Sequence, residues 1–523
     1  MTGAVTFLRH FLRRDRWMLL VWVLGGALLY VSQAIQVEGT YATQADLDKA
    51  AASMAHNAAF IAMLGPARAL DTIGGQVAWQ ASAFGAILAG LMSMFLVGRH
   101  TRVEEETGRD ELLRASPVGR LAPTTAALVT ALLANVLLGV AVSLTLIAYR
   151  LGVPDSVALG AGLTLSGWVF TGTALLAAQL TASARSMYGI AGAIMGVAYA
   201  LRAVGDLRNS ALAWLSPIGW YQGMHAFSGL RWWPALLLLA GAAAVTAAAY
   251  VLFQHRDFGA GLLAARPGPA RAAPRLRTGW GLAWQLQRGS VLGWALALLL
   301  FAAAFGAVGN DVTDVIGTSK ASQDIFVQSP GDLIDSFYAT AILMLAVIAS
   351  AFAISSALRP RGEEDDGRVE PLLATALSRR RWLLAQIGTT AVGCLLVLLA
   401  AGVGLGAGYA AVTGDTHALI TYPPAALPYI APMLVLSGLT RLLYGVAPRA
   451  ATLAWLALGF CVVVLLFGQL FHFPQWLLNL SPFQHLALTP AQDFTWAPFL
   501  GLLTVAALLS AAGQLAFQHR DVH

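Results

Sequence analysis

Twelve stretches of this chain each hold about twenty mostly apolar residues, the length at which an α-helix crosses the hydrocarbon of a bilayer. They run at roughly 17–36, 79–98, 122–149, 157–180, 187–205, 233–253, 290–308, 337–358, 382–412, 425–443, 451–471 and 497–516. Inside a bilayer each segment must satisfy its own backbone N–H and C=O groups. No run alternates like a barrel strand, so each is expected to be a helix. Composition points the same way: 58% of the 523 residues are hydrophobic and 11% are charged, against about 25% charged in soluble domains. Mean hydropathy is +0.68. The expected class is an all-α integral membrane protein. The first run follows Arg13, Arg14 and Arg16 and lacks a small-x-small cleavage pattern, so it reads as a retained anchor. Cys394 and Cys461 lie inside apolar runs, which argues against a disulfide framework or a Cys-based metal site.

The basic residues set the expected orientation. With a cytosolic N-terminus, all but seven of the 32 Lys and Arg fall on the cytosolic side. The exceptions are Lys49, Arg68, Arg150, Arg202, Arg208, Arg231 and Lys320. This is a strong positive-inside bias, with both termini cytosolic and the cytoplasmic membrane as the location. The pI near 9.5 is therefore topology. No dense basic patch with stacking aromatics accompanies it, so nucleic acid is not an expected partner.

The chain repeats itself. Phe253-Gln254-His255-Arg256-Asp257 returns as Phe517-Gln518-His519-Arg520-Asp521, and the LSP at 215–217 returns at 480–482. The loop RVEEETGRDELLRASPVGR at 102–120 resembles RGEEDDGRVEPLLATALSR at 361–379. The three matches are colinear, with offsets of 264, 265 and 259 residues. Duplication explains this, and six spans per half make the repeat parallel. The expected division is a first six-span half at 1–253, a cytosolic linker with a second amphipathic helix at 254–289, and a second six-span half at 290–523. Each FQHRD ends the last span of its half, where it reads as a cationic boundary at head-group level rather than a catalytic His/Asp pair.

Several segments could carry function. The two acidic loops join the second and third spans of their halves and run against the basic trend of that face. Carboxylates and Arg on one side and a Leu pair on the other suit a short docking helix; the plainer reading is a solvated charged loop. TFLRHFLRRDR puts Phe7, Leu8, Phe11 and Leu12 on one face and Arg9, His10, Arg13 and Arg14 on the other, as an interfacial helix lying on the membrane would. WGLAWQLQR at 280–288 is its weaker counterpart. The outer segments at 37–78 and 309–336 are longer than connections need, and Thr43 is a candidate N-cap in the first. Asp46, Asp48 and His56 fit no metal template. Residues that could line an adaptable apolar pathway are Phe84, Met92, Met195, Tyr199, Tyr338, Met344, Phe460, Phe467 and Gln469, although such positions are commonly ordinary packing. The span interiors are expected to hold essentially no ionisable groups, which weighs against proton- or sodium-coupled transport. A phosphate-cradling loop needs Gly-Lys-Ser/Thr, and the two lysines, Lys49 and Lys320, are each followed by Ala.

Two six-span halves, an amphipathic helix before the first span, an outer segment after it and the EE..GR.E.LL loop together resemble the type-2 permeases of ATP-binding-cassette transporters. The doubled form looks like the large actinobacterial permeases named as exporters of polyketide antibiotics, or multidrug exporter permeases. The resemblance implies twelve transmembrane helices as two tandem type-2 exporter halves, and a transporter subunit rather than an enzyme. It implies a coupling role, in contact with an ATPase, for Glu104, Glu105, Gly108, Arg109 and Glu111, and for Glu363, Glu364, Gly367, Arg368 and Glu370. Asp110 becomes Val369 and Leu112 becomes Pro371, so the copies are not identical. The implied partners are two copies of a separate ATPase subunit carrying ATP and Mg, membrane lipid, and a hydrophobic or amphipathic cargo; no cofactor is expected on this chain. A major-facilitator-like transporter would need intramembrane acids. A polytopic membrane enzyme would need paired carboxylates, whereas Asp206, Asp415 and Asp493 are scattered. A regulatory or assembly permease without transport is the third alternative.

Overall fold

The residues flanking the apolar runs carry the signals that start the helices. Thr72, Ser183, Thr278 and Ser378 each accept a backbone N–H from the first turn of the helix that follows. Pro123, Pro154 and Pro234 sit in first turns, where the missing N–H costs nothing. In the computed structural model the runs become twelve helices long and apolar enough to cross a membrane, and no strand occurs among the described residues. The protein is a multi-pass, all-α membrane protein. Its structure describes residues 3–41, 43–54, 58–108, 118–257, 259–263, 270–307, 333–467 and 473–520.

The chain divides into two compact units, Met1–Gly268 and Pro269–His523. The first contains α1 (Ala4–Thr40), α2 (Gln44–Met54), α3 (Ala58–Leu64), α4 (Ile73–His100), α5 (Arg102–Glu106), α6 (Ala122–Ala148), α7 (Val153–Leu180), α8 (Ala184–Leu207), α9 (Pro217–Gln222) and α10 (Trp233–Gln254). The second contains α11 (Gly279–Gly306), α12 (Leu333–Asp365), α13 (Val369–Leu373), α14 (Arg379–Thr413), α15 (Ala418–Ala426), α16 (Ile430–Val446), α17 (Ala454–Phe467), α18 (Gln475–Leu478) and α19 (Trp496–His519).

Within each unit the second and fourth spans form the centre. The most apolar stretches of α4 and α7 are 72% buried, against 28% for α1 and 22% for α10, whose remaining surface is left for lipid. Small residues allow the close crossings. A Cβ at Gly139 on α6 would collide with the Gly160 carbonyl of α7, and one at Gly445 on α16 with the Gly513 carbonyl of α19.

Three sequence expectations need correcting. The amphipathic N-terminal segment is not a separate helix lying on the membrane. It continues into the first span as one helix of 37 residues, about 55 Å at 1.5 Å per residue, because no breaker separates Arg16 from Trp17. Its apolar face is covered by protein: Phe11 is buried with Ala126 and Ala127 of α6, and Phe7 and Leu8 pack beside it. Phe11 also stacks on His100, with ring centroids 3.8 Å apart. The 280–288 segment is likewise the first part of α11 and continuous with its span.

The third correction concerns buried charge. Arg441, counted with the cytosolic-side arginines although the apolar run at 425–443 contains it, lies inside α16 and is 2% exposed. Pro423, Pro424 and a 3-10 turn at Leu427–Tyr429 precede this helix, which runs to Val446. Asp15 of α1 is also buried, with its carboxylate 2.5 Å from His100 Nε2 and 3.3 Å from Arg99 Nε.

Candidate functional site

Each unit carries its acidic loop at the end of the bundle rich in arginine, immediately after the second span. In the first unit α4 ends at His100, Thr101 breaks the helix with ψ −87, and α5 carries Glu104 and Glu105. In the second, α12 runs unbroken through Glu363 and Glu364 to Asp365. Both end in a left-handed glycine, Gly108 at φ 69 and Gly367 at φ 68. Their N–H groups reach back to the carbonyls of Glu105 at 3.2 Å and Glu364 at 2.9 Å. Only glycine adopts this conformation without strain, which explains its presence in both copies. Arg109 and Glu111 lie outside the described residues.

The paired glutamates point inward. Glu105 receives two hydrogen bonds from Arg256, Nη2 to Oε1 at 2.7 Å and Nη1 to Oε2 at 3.0 Å. Arg102 Nη1 adds a third at 2.8 Å. Arg102 is itself buried and donates Nε to the Ala178 carbonyl at 2.5 Å. Glu104 accepts Arg14 Nη1 from α1 at 2.7 Å. Glu106 accepts the N–H of Ala184, the first residue of α8, at 3.0 Å. A carboxylate at a helix start is favourable both as acceptor and toward the dipole.

The second unit repeats the central pair. Arg520 Nη2 donates to Glu364 Oε2 at 2.7 Å, and the Tyr444 hydroxyl donates to the same oxygen at 2.6 Å. Glu363 is held by Arg359, one turn back on its own helix, at 3.2 Å and by Arg368 at 3.6 Å. What faces outward is the tip: Arg368 and Asp366 are more than half exposed, and Glu370 and Pro371 are exposed. Val369 turns in, buried with Trp382, Leu383, Tyr444 and Phe517.

Arg256 and Arg520 are the arginines of the two FQHRD stretches. The stretch ends the last span of each unit, and its cation is enclosed by protein in the first: Arg256 is 5% exposed and paired. The preceding aromatic supports each guanidinium, with Arg256 5.5 Å from the Phe253 ring centre and Arg520 5.5 Å from that of Phe517. The backbone is fixed as well. Arg120 donates to the Arg256 carbonyl at 3.0 Å, and Arg379 to the Arg520 carbonyl at 2.7 Å. Sequence reasoning saw the FQHRD repeat but missed Arg256 and Arg520 as partners of the loop glutamates, and Arg120 and Arg379 as donors to their carbonyls. The available signal was that the same two stretches, loop and FQHRD, recur together.

The residues named for a cargo pathway are mostly packed. Met92 and Tyr338 are fully buried. Met195 sits against Gly90 and Phe170. The Tyr338 hydroxyl donates to Gly306 O at 3.0 Å, and its ring lies 5.3 Å from Tyr409 and 5.1 Å from Tyr422. Tyr199 donates to the Met63 carbonyl at 2.8 Å. Phe84, Met344 and Phe460 are half-buried. Gln469 and the Phe467 side chain lie outside the described residues. A small cavity at the opposite end of the first unit is lined by Arg68, Trp79, Tyr221, Gln222 and His225, with none of the pathway residues among its lining. Of the rejected metal set, Asp46 forms a capping pair with Thr43, whose hydroxyl donates to it at 2.7 Å. Asp48 accepts Gln44 Nε2 at 2.8 Å, and His56 lies outside the described residues.

Comparison with known proteins places these features in a family. The model of the "Multidrug efflux system permease Rv1217c, C-terminal domain" matches residues 276–518. Across 528 aligned positions the chain is 40% identical to the multidrug efflux system permease protein Rv1217c of Mycobacterium tuberculosis (strain ATCC 25618 / H37Rv), covering 100% of this chain and 95% of that protein.

Proposed function

The chain belongs to the family of the multidrug efflux system permease Rv1217c, and from that premise we propose that it is the membrane-spanning subunit of an ATP-driven exporter of the type-2 ATP-binding-cassette class. It moves hydrophobic or amphipathic small molecules, drug-, polyketide- or lipid-like, out across the cytoplasmic membrane. Both termini and both acidic loops face the cytosol, in keeping with the distribution of arginine. Two copies of a separate ATPase subunit dock on the loops and carry the ATP and Mg. This chain hydrolyses nothing itself.

The observation that carries the reading is the loop built twice. Each half presents a short acidic segment closed by a left-handed glycine, anchored underneath by a glutamate–arginine pair, with an exposed tip in the second copy at Arg368 and Glu370. Such a segment suits a lever: the tip meets the partner and the base is tied to the helices. ATP-driven closure of the ATPase pair would push the tips, and the six-span halves would pass between inward-open and outward-open or closed states. The coupling role extends to Glu104, Glu105, Gly108, Arg109 and Glu111, and to Glu363, Glu364, Gly367, Arg368 and Glu370, with the inward glutamates serving as the base. Phe84, Met92, Met195, Tyr199, Tyr338, Met344, Phe460, Phe467 and Gln469 remain the proposed cargo contacts. Co-expression with a candidate ATPase subunit of this transporter class tests the reading. A stable complex whose ATP hydrolysis rises with drug in vesicles is expected; a chain that purifies alone and leaves ATP hydrolysis unchanged refutes it.

A further inference from the structure

We infer that Arg256 and Arg520 are positioning residues that carry the movement of the acidic loops into the last span of each half. The inference rests on the proposed docking of an ATPase to those loops.

A loop between the second and third spans is joined to both by the chain itself, so its displacement reaches them directly. Nothing covalent joins it to the sixth span. Side chains make the connection: Glu105 pairs with Arg256 across 151 positions in the first unit and Glu364 with Arg520 across 156 in the second, where Val369 also packs with Phe517. Arg120, which precedes α6, and Arg379, the first residue of α14, grip the carbonyl of the same arginine. The end of the second span, the start of the third and the end of the sixth thus meet at one residue in each half.

The joint recurs although its surroundings do not. In the first unit the neighbouring contacts run to α1 through Arg14 and to α8 through Glu106. In the second they run to α16 through Tyr444. The FQHRD arginine, its aromatic support and the arginine on its carbonyl are the common parts. Phe253 and Phe517 are both buried, so the guanidinium is braced on one side and bonded on the other. A braced, charge-assisted bond transmits displacement in a way that a solvated surface pair would not. This assigns FQHRD a task in coupling beyond marking where a half ends.

The test uses the full chain with its ATPase in vesicles and follows three quantities: ATPase retained on purification, ATP hydrolysis, and efflux of Hoechst 33342. R256Q and R520Q are expected to keep the ATPase and hydrolyse ATP within about twofold of wild type, while export falls about tenfold, as for residues that modulate coupling between sites. R256K and R520K should recover part of the export. In the second unit, E364R and R520E should each lose export, and the E364R/R520E pair should regain it. Wild-type export by R256Q and R520Q overturns the inference. So does loss of the ATPase from these variants, which would make the arginines part of docking. A swapped pair that inserts normally and does not export also overturns it. Should R256Q or R520Q fail to insert, the lysine and charge-swap variants decide. A wild-type chain that retains no ATPase overturns the proposed function, and the joint with it. Variants that differ from a wild type that does retain it speak to the joint alone.

Discussion

Arg14 on α1 donates to Glu104 at 2.7 Å across 90 positions, whereas Glu363, its counterpart in the second unit, pairs at 3.2 Å with Arg359 on its own helix. The first loop is therefore tied to the first span, whereas Glu363 is tied within its own helix. Arg14 is 25% and Glu104 12% exposed at the side chain, so removing the arginine leaves a carboxylate short of a partner in a shielded place. R14A is expected to cost about 1–2 kcal/mol, as for a hydrogen bond to a charged group. R359A breaks an i,i+4 pair that is also shielded but leaves Glu363 with Arg368 at 3.6 Å, so it is expected to cost less, about 0.5 kcal/mol. Thermal denaturation of the two variants in detergent checks the difference; equal losses would show that the tie to α1 adds nothing.

The inward and outward residues of the second loop should separate by phenotype. Arg368 and Glu370 are exposed, so R368Q and E370R are expected to change stability by less than about 1 kcal/mol while weakening ATPase retention. Reversal of Glu363 and Glu364 together, or of Glu104 and Glu105, should weaken retention by dislodging the loop, with the chain still inserted. Co-purification with membrane-fraction blotting reads both. Retention unchanged in all of these variants would remove the docking assignment.

Gly367 tests the turn. It sits at φ +68 with open space around a notional Cβ, so G367A meets a backbone penalty and no clash. The expected cost is about 1 kcal/mol for a left-handed non-glycine residue. G367N should cost less, because asparagine tolerates this region. If thermal melts rank alanine level with glycine, the turn is not held at that angle in solution.

His225 gives a pH dependence. It lies between spans at φ 54 and lines the cavity with Arg68. Burial, then the positive charges of Arg68 and Arg231, push its pKa down from 6.5 to about 4. The folded state therefore binds this proton less readily than the unfolded chain. The stability His225 contributes is complete above about 6.5 and is lost as pH falls toward 4. Melting midpoints across that window should fall more steeply for wild type than for H225Q; parallel curves would contradict the assignment.

The spans were readable because a run of apolar residues is a local signal and the bilayer demands helices. The recurrence of Gly108 and Gly367 in the two loops was visible as well, although the left-handed turn at each emerges only from the backbone. The partners were not readable. The amphipathic face of Phe7, Leu8 and Phe11 suits a lipid surface and the small residues Ala126 and Ala127 equally well, and only tertiary packing chooses between them. Arg256 likewise has the sequence context of a head-group anchor, and its ion pair depends on a glutamate far away in the chain. Arg441 falls inside the apolar run at 425–443, and its burial depends on the packing of α16 beside α19, which no local pattern reports.

Arg441 provides the last expectation. Its guanidinium is buried, Nη1 reaches the hydroxyls of Ser437 at 3.1 Å and Ser510 at 3.3 Å, and Nη2 has no partner among the described residues. A buried cation that lacks a carboxylate partner is costly to hold, and apolar replacement of such groups is often neutral or stabilising. R441M keeps the length of the side chain and removes the charge. Its thermal midpoint should therefore match or exceed that of wild type. R441A removes the packing of the stem as well and should fall below R441M, since the side chain fills space between α16 and α19. The two substitutions separate volume from charge: if R441M is as destabilised as R441A, the two serine hydroxyls contribute more than the desolvation costs, and the arginine is there for stability. If R441M is stable and drug export falls, the charge is retained for function.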